Sequence, residues 1–247
     1  MRLAKAWIIA SKDFATFRRK RSILSTLVIV PILVAILIPA VILVAQGRSN
    51  GGMTEARLST LLPSFAFFWL VLSGVIPTTL ASYSIVGEKV EKCLEPLLAT
   101  PTTDGEILMG KGIAAFLPAI VSILAGATLF MGLIDWVTWD TMHGPFFPNW
   151  NAAIVLFLMV PLAAIMSVEW NVVISSRVSD VRVAQQLGAL LAIPFAGIYV
   201  SGELSIIDLG DTTNLLIIAG VMALIDLLFL PVARATFRRE EILTKWR

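Results

Sequence analysis

Six long apolar runs constrain this chain more than any other feature. They cover about 23–44, 61–86, 113–134, 152–174, 183–200 and 215–235. Most approach or exceed the ~20 residues that carry a helix across a bilayer. Lipid cannot satisfy an open strand edge, and the runs lack the alternation of a membrane barrel, so helices are the structure that remains. Composition agrees: 57% of the residues are apolar and 15% are charged, less charge than a soluble domain of this length carries. The expected fold is an all-α membrane protein with six transmembrane helices in a single domain over 1–247.

The basic residues set the expected orientation. Of nineteen Lys and Arg residues, only Arg48 and Arg57 fall in the loops after spans 1, 3 and 5. The others flank the termini, the region between spans 2 and 3, and the turn at Ser175–Arg182. The positive-inside rule therefore places both termini in the cytoplasm of a multi-pass cell-membrane protein.

Residues 1–21 are basic and amphipathic. Leu3, Trp7, Ala10, Phe14 and Phe17 share one helical face, and Lys5, Lys12, Asp13 and Arg19 the other. A helix lying in the membrane interface is expected. A cleavable leader is disfavoured, because the following apolar run is too long and has no small-residue cleavage site.

A charged island interrupts the apolar pattern at 88–111. Glu88, Lys89, Glu91, Lys92 and Glu95 alternate in sign, and Leu94, Leu97 and Leu98 follow at helical spacing. A short amphipathic helix on the membrane surface is expected there, bounded by Pro96 and Pro101. Within the island, Gly105 to Gly112 comes close to a phosphate-binding loop. It lacks the hydroxyl residue after Lys111, and no strand precedes it. Lys111 is expected to be an interfacial anchor instead.

Other polar residues carry weaker expectations. Glu169 and Asp226 are acids inside spans, each eight residues before an arginine, Arg177 and Arg234. Eight helical residues rise about 12 Å, which puts both at similar depth. Such acids line pathways or pair within the bundle; pairing is the simpler expectation. The stretch 201–214 holds Glu203, Asp208 and Asp211 around a short apolar piece, open to either a re-entrant segment or a solvated loop. The Trp-rich stretch Asp135–Asn151 is expected to be an interfacial loop. One cysteine, Cys93, and one histidine, His143, leave no basis for a disulfide, a metal site or a catalytic constellation. No catalytic residue is expected.

Two stretches resemble a known family. Ser84-Ile-Val-Gly-Glu88-Lys89, then Leu94-Glu95-Pro-Leu97-Leu98-Ala-Thr-Pro101, then Ile107-Leu-Met-Gly110-Lys111 is similar to the region between spans 2 and 3 of type-2 ATP-binding-cassette (ABC) transporter permeases, the exporter type. Ser175-Ser-Arg177-Val-Ser-Asp180-Val-Arg182-Val-Ala-Gln185-Gln186 resembles that family's turn before span 5. The resemblance covers nearly the whole chain. It implies an elbow helix at 1–21, a cytoplasmic coupling helix near 89–100, and a separate ABC ATPase subunit in two copies. It also implies a second permease chain, identical or related. ATP and Mg2+ would belong to the ATPase, and no cofactor to this chain; no nucleic-acid partner is expected. Glu88, Glu91, Leu94, Glu95, Leu97 and Leu98 would contact the ATPase. Phe65, Phe68, Thr78, Thr79, Gln186 and Tyr199, with Glu169 and Asp226, are the candidate translocation path.

The function this implies is outward movement of a lipophilic substrate: a drug, lipid or peptide. Two alternatives share the coupling helix. One is a mechanotransmitting module serving envelope or metalloprotein assembly. The other is a cation-extruding permease using Glu169 and Asp226. An intramembrane enzyme is disfavoured by the lone histidine and the lack of a nucleophile–base pair. A secondary transporter would need no ATPase partner.

Overall fold

The computed structural model describes residues 3–48, 55–90, 102–204 and 206–236. Every regular element among them is helical. We number ten helices in chain order: α1 (Leu3–Arg19), α2 (Arg21–Arg48), α3 (Glu55–Ala66), α4 (Phe68–Ser82), α5 (Asp104–Met142), α6 (Trp150–Ile154), α7 (Val160–Arg177), α8 (Val181–Ala189), α9 (Ala192–Glu203) and α10 (Thr212–Thr236). A π turn at Tyr83–Gly87 extends α4 into a last helical turn, Glu88–Val90. A second π turn at Val155–Met159 joins α6 to α7.

Six stretches are long and apolar enough to cross a membrane. They are Arg21–Gln46, Arg57–Val90, Asp104–Met142, Trp150–Arg177, Val181–Glu203 and Thr212–Thr236. Spans 2 and 4 are more than half buried and form the centre, with α4 packed on α7 and both against α5. The helices α2 and α10 lie outside, on α5 and α7 respectively. Both α8 and α9 pack on α4.

Helix starts are fixed by polar caps. Thr103 and Glu106 form a reciprocal capping box at the start of α5. Asn149 accepts from the Ala152 amide, and Asp180 accepts from the Arg182 and Val183 amides. Where helices cross closely, a missing Cβ makes room, as is usual in membrane bundles. A Cβ on Gly126 would lie 2.6 Å from Pro31 of α2 and 2.8 Å from the Trp69 ring of α4.

Three expectations are corrected. First, α1 turns a different side inward. Its buried residues are Ala6, Ile9, Ala10, Asp13 and Phe17, while Leu3 and Trp7 are exposed. Asp13 goes inside because α4 and α5 supply polar partners for it. Second, Lys111 is no interfacial anchor, since only 1% of its side chain is exposed. Third, span 3 begins and ends outside the apolar run, so Asp135–Met142 is helix, not loop. The Asp135 carboxylate draws the connection back by accepting from the Phe146 and Phe147 amides. The stretch left open between a re-entrant segment and a loop consists, in the described residues of 204–211, of turns and bends. Asn151 holds this stretch through Gly210 and Thr212. The phosphate-loop near-match, Gly105–Gly112, lies inside α5 and so cannot form a cradle.

Candidate functional site

The residues that flank the charged island meet in one buried cluster. Three elements build it: α1, the end of span 2, and the start of α5. The Lys111 ammonium lies 2.5 Å from the Glu88 carboxylate and 3.8 Å from that of Asp13. It also donates to the Ser84 carbonyl, which the wider π turn leaves accessible. The Ser84 hydroxyl donates to Asp13 at 2.5 Å. Lys12 donates to the other Glu88 oxygen at 2.6 Å from a half-exposed position.

Two cations and two carboxylates balance in this cluster. Lys111 sits at its centre, where an unpaired ammonium would be costly. Burial pushes the Asp13 carboxyl above its ordinary range, while the Lys111 charge and the Ser84 hydroxyl pull it back. The helix α1 can sit this close because of Gly110. A Cβ there would lie 2.7 Å from the Ala6 carbonyl and 2.8 Å from Ile9.

A second strand of contacts leads from the same end into the bundle. Lys89 donates to the carbonyls of Ser175, at 2.9 Å, and Val178, at 3.4 Å. Its charge thus meets the C-terminal carbonyls of α7, where a cation is favoured. Ser175 donates to Asn171, Asn171 donates to Ser82, and Ser167 donates to the carbonyls of Ser73 and Gly74. Ser167, Asn171 and Ser175 follow at four-residue intervals on one face of α7. Ser167 and Asn171 bond directly to α4, and Ser175 braces Asn171 from within α7, a short polar ladder in otherwise apolar packing.

Glu91, Leu94, Glu95, Leu97 and Leu98 fall outside the described residues. Glu88 is described, and it faces Lys12 and Lys111. The chain enters the undescribed stretch from Val90 and leaves it at Thr102, next to the capping box that starts α5.

The proposed path residues fall at several places in the single chain. Phe68 and Tyr199 meet edge to face at 6.0 Å, across the α4–α9 contact. Phe65 and Thr79 are half-buried, and Gln186 is exposed on α8. Thr78 is buried: its Cγ2 would lie 2.3 Å from a Cβ on Gly188. Glu169 and Asp226 lie on the packed pair α7 and α10, each 7% exposed. Glu169 Oε2 and both Asp226 oxygens have no hydrogen-bond partner.

Sequence reasoning missed the cluster of Lys12, Asp13, Ser84 and Lys111, and the Lys89 contact with the end of α7, because their partners lie far away in the chain. The four-residue spacing of Ser167, Asn171 and Ser175 was a usable sign of the ladder.

A family model described as ABC-2 family transporter protein matches residues 7–228. The chain is also 23% identical over 227 residues to the ABC transporter permease protein NatB of Bacillus subtilis (strain 168). That match covers 79% of this chain and 57% of the relative, so the chain spans little more than half of the relative's length. With the family model covering most of its length and six helices of membrane-spanning character, the chain belongs to the ABC-2 family of transporter proteins.

Proposed function

We propose that this chain is the membrane permease subunit of an ATP-driven exporter and moves a lipophilic substrate outward. The ATPase is a separate subunit, present in two copies, and carries ATP and Mg2+. A second permease chain completes the pathway. Both termini and the 88–111 region face the cytoplasm of the cell membrane, where the residues between Val90 and Thr102 dock on the ATPase.

One observation carries this reading. Both flanks of that stretch are fastened to the transmembrane helices by buried polar contacts: Glu88 to Lys111 and Lys12, and Lys89 to the end of α7. A displacement applied there would reach α1, α4, α5 and α7 together. ATP drives such a displacement only by binding one arrangement more tightly than the other.

The test is co-purification from the native operon, with Leu94→Asp and Leu97→Asp as docking variants. An ATPase should accompany the wild-type chain and be lost from both variants, while each stays monodisperse. No ATPase with a folded wild-type chain would sink the proposal. Glu88→Ala is a poor docking probe, because it breaks a buried ion pair.

A second reading is a cation-extruding permease. The unpartnered carboxylates of Glu169 and Asp226 favour it. Cation-dependent ATPase activity lost in Glu169→Gln and Asp226→Asn would support it over the first.

A further inference from the structure

The cavity between α5, α7 and α10 has a volume of about 410 Å³, within the range of sites for small organic ligands. Its wall is mostly apolar, formed by residues such as Leu108, Ile113 and Phe116 of α5 and Ile165 of α7. Two ionisable side chains interrupt it, Glu169 and Arg234. Arg234 is exposed, whereas Glu169 is 7% exposed with an unpartnered Oε2. The two make no contact ion pair, but the Arg234 charge acts on Glu169 through space. Asp226, also buried and unpartnered, is a charged neighbour of Glu169 but does not line the cavity.

A carboxylate buried among apolar helices with an oxygen that accepts no hydrogen bond is expensive, and such residues mark ligand pathways. We propose that this cavity binds an amphiphilic organic monocation, with its cationic head at Glu169 and its apolar body along the α5 wall. The head gains the charge of Glu169. Phe116 adds an aromatic ring to the same enclosure, a further attraction for a desolvated organic cation. A bare metal ion fits less well. Hard cations gather about six oxygens or more, and among the described residues no three His, Cys, Asp or Glu side chains converge. A lipid acyl chain would fill the wall but leave Glu169 unsatisfied. An anionic amphiphile would meet the Glu169 carboxylate.

The proposal narrows the lipophilic-substrate reading above. It rests on that reading for a role in transport, but not for binding. Equilibrium dialysis of radiolabelled tetraphenylphosphonium against the purified chain in a neutral detergent measures binding directly. Glu169→Gln should raise the Kd about tenfold or more, the loss expected for one charge-assisted contact. Gly112→Leu should block binding, since a Cβ there has Val168 at an ordinary 3.6 Å and the longer side chain enters the cavity. Arg234→Gln should tighten binding by removing a like charge. Neutral triphenylphosphine oxide should compete poorly.

Binding by Glu169→Gln within twofold of wild type would overturn the proposal. So would equal competition by the neutral oxide, which would mark a plain lipid groove, or a tenfold weakening in Arg234→Gln. Because Glu169→Gln removes an unpaired buried charge, it is expected to fold, and a thermal melt checks this. If Gly112→Leu does not fold, the Glu169 and Arg234 variants still decide. Binding without ATP-driven transport would retain this site and reject the export reading; transport without binding would do the reverse.

Discussion

Lys111 and Glu88, twenty-three positions apart, are joined by a 2.5 Å ion pair that closes the chain segment between spans 2 and 3 at its base. The segment therefore leaves and re-enters the helix bundle at one fixed point. Its two ends move as a unit.

Replacing Lys111 with Met should destabilise the protein by about 3–5 kcal/mol, because Glu88 and Asp13 lose their buried cation. Lys12→Met should cost less than about 1 kcal/mol, since that side chain is 48% exposed and water screens it. Adding Glu88→Gln to Lys111→Met should recover part of the loss. Denaturant titration in detergent compares the three; equal losses for the two lysines would contradict the assigned centre of the cluster.

Asp13 gives a pH signature. Its carboxyl is held above the ordinary value, so the folded state binds its proton more tightly than the unfolded chain does. The stability this supplies is full below about pH 4, the ordinary carboxylate pKa, and is lost as pH rises through the folded-state value. The stability of wild type relative to Asp13→Asn should therefore fall as pH rises from about 4. Thermal melts across that interval measure it, and a difference that grows with pH would reverse the assignment.

Gly110→Val should lift α1 from α5. The new Cβ would meet the Ala6 carbonyl at 2.7 Å, a backbone atom that cannot swing aside. Hydrogen exchange in α1 should accelerate by about tenfold or more, a local opening shift near 1.4 kcal/mol. Gly132→Val, on the same helix with nothing within 4 Å, is the matched control.

Asn171→Leu should cost about 1–3 kcal/mol. It leaves the Ser82 and Ser175 hydroxyls facing an apolar side chain between α4 and α7. Val173→Ala, away from the ladder, should not disturb those hydroxyls. Chemical denaturation of the two variants gives the comparison.

The membrane class was legible because hydrocarbon tolerates few backbone solutions, and a run such as 215–235 reports that directly. The end of span 3 was not. Trp136 and Trp139 suggested an interfacial loop, but they continue the helix, and Asp135 is the device that folds the chain back. Asp13 shows the limit most clearly. Helical periodicity put it on the polar side of α1, and periodicity alone cannot see that Ser84 and Lys111 await it in other helices. Lys111 failed for the same reason: a lysine beside an apolar run looks like an anchor until its carboxylates are placed. The caps Thr103 and Asp180 were present in the residue pattern, and the relevant spacing, Thr103 to Glu106, is local.

The ladder of Ser167, Asn171 and Ser175 works as a detent. The bonds from Ser167 and Asn171 to α4 share one register, so a small slide of α7 along α4 would stretch both, while Ser175 braces Asn171 from within α7. The next comparable seat lies about one helical turn away, near 5.4 Å. The pair therefore has discrete positions instead of a continuum. Any alternation of access must either carry α4 and α7 as one body or click them past each other by a whole turn.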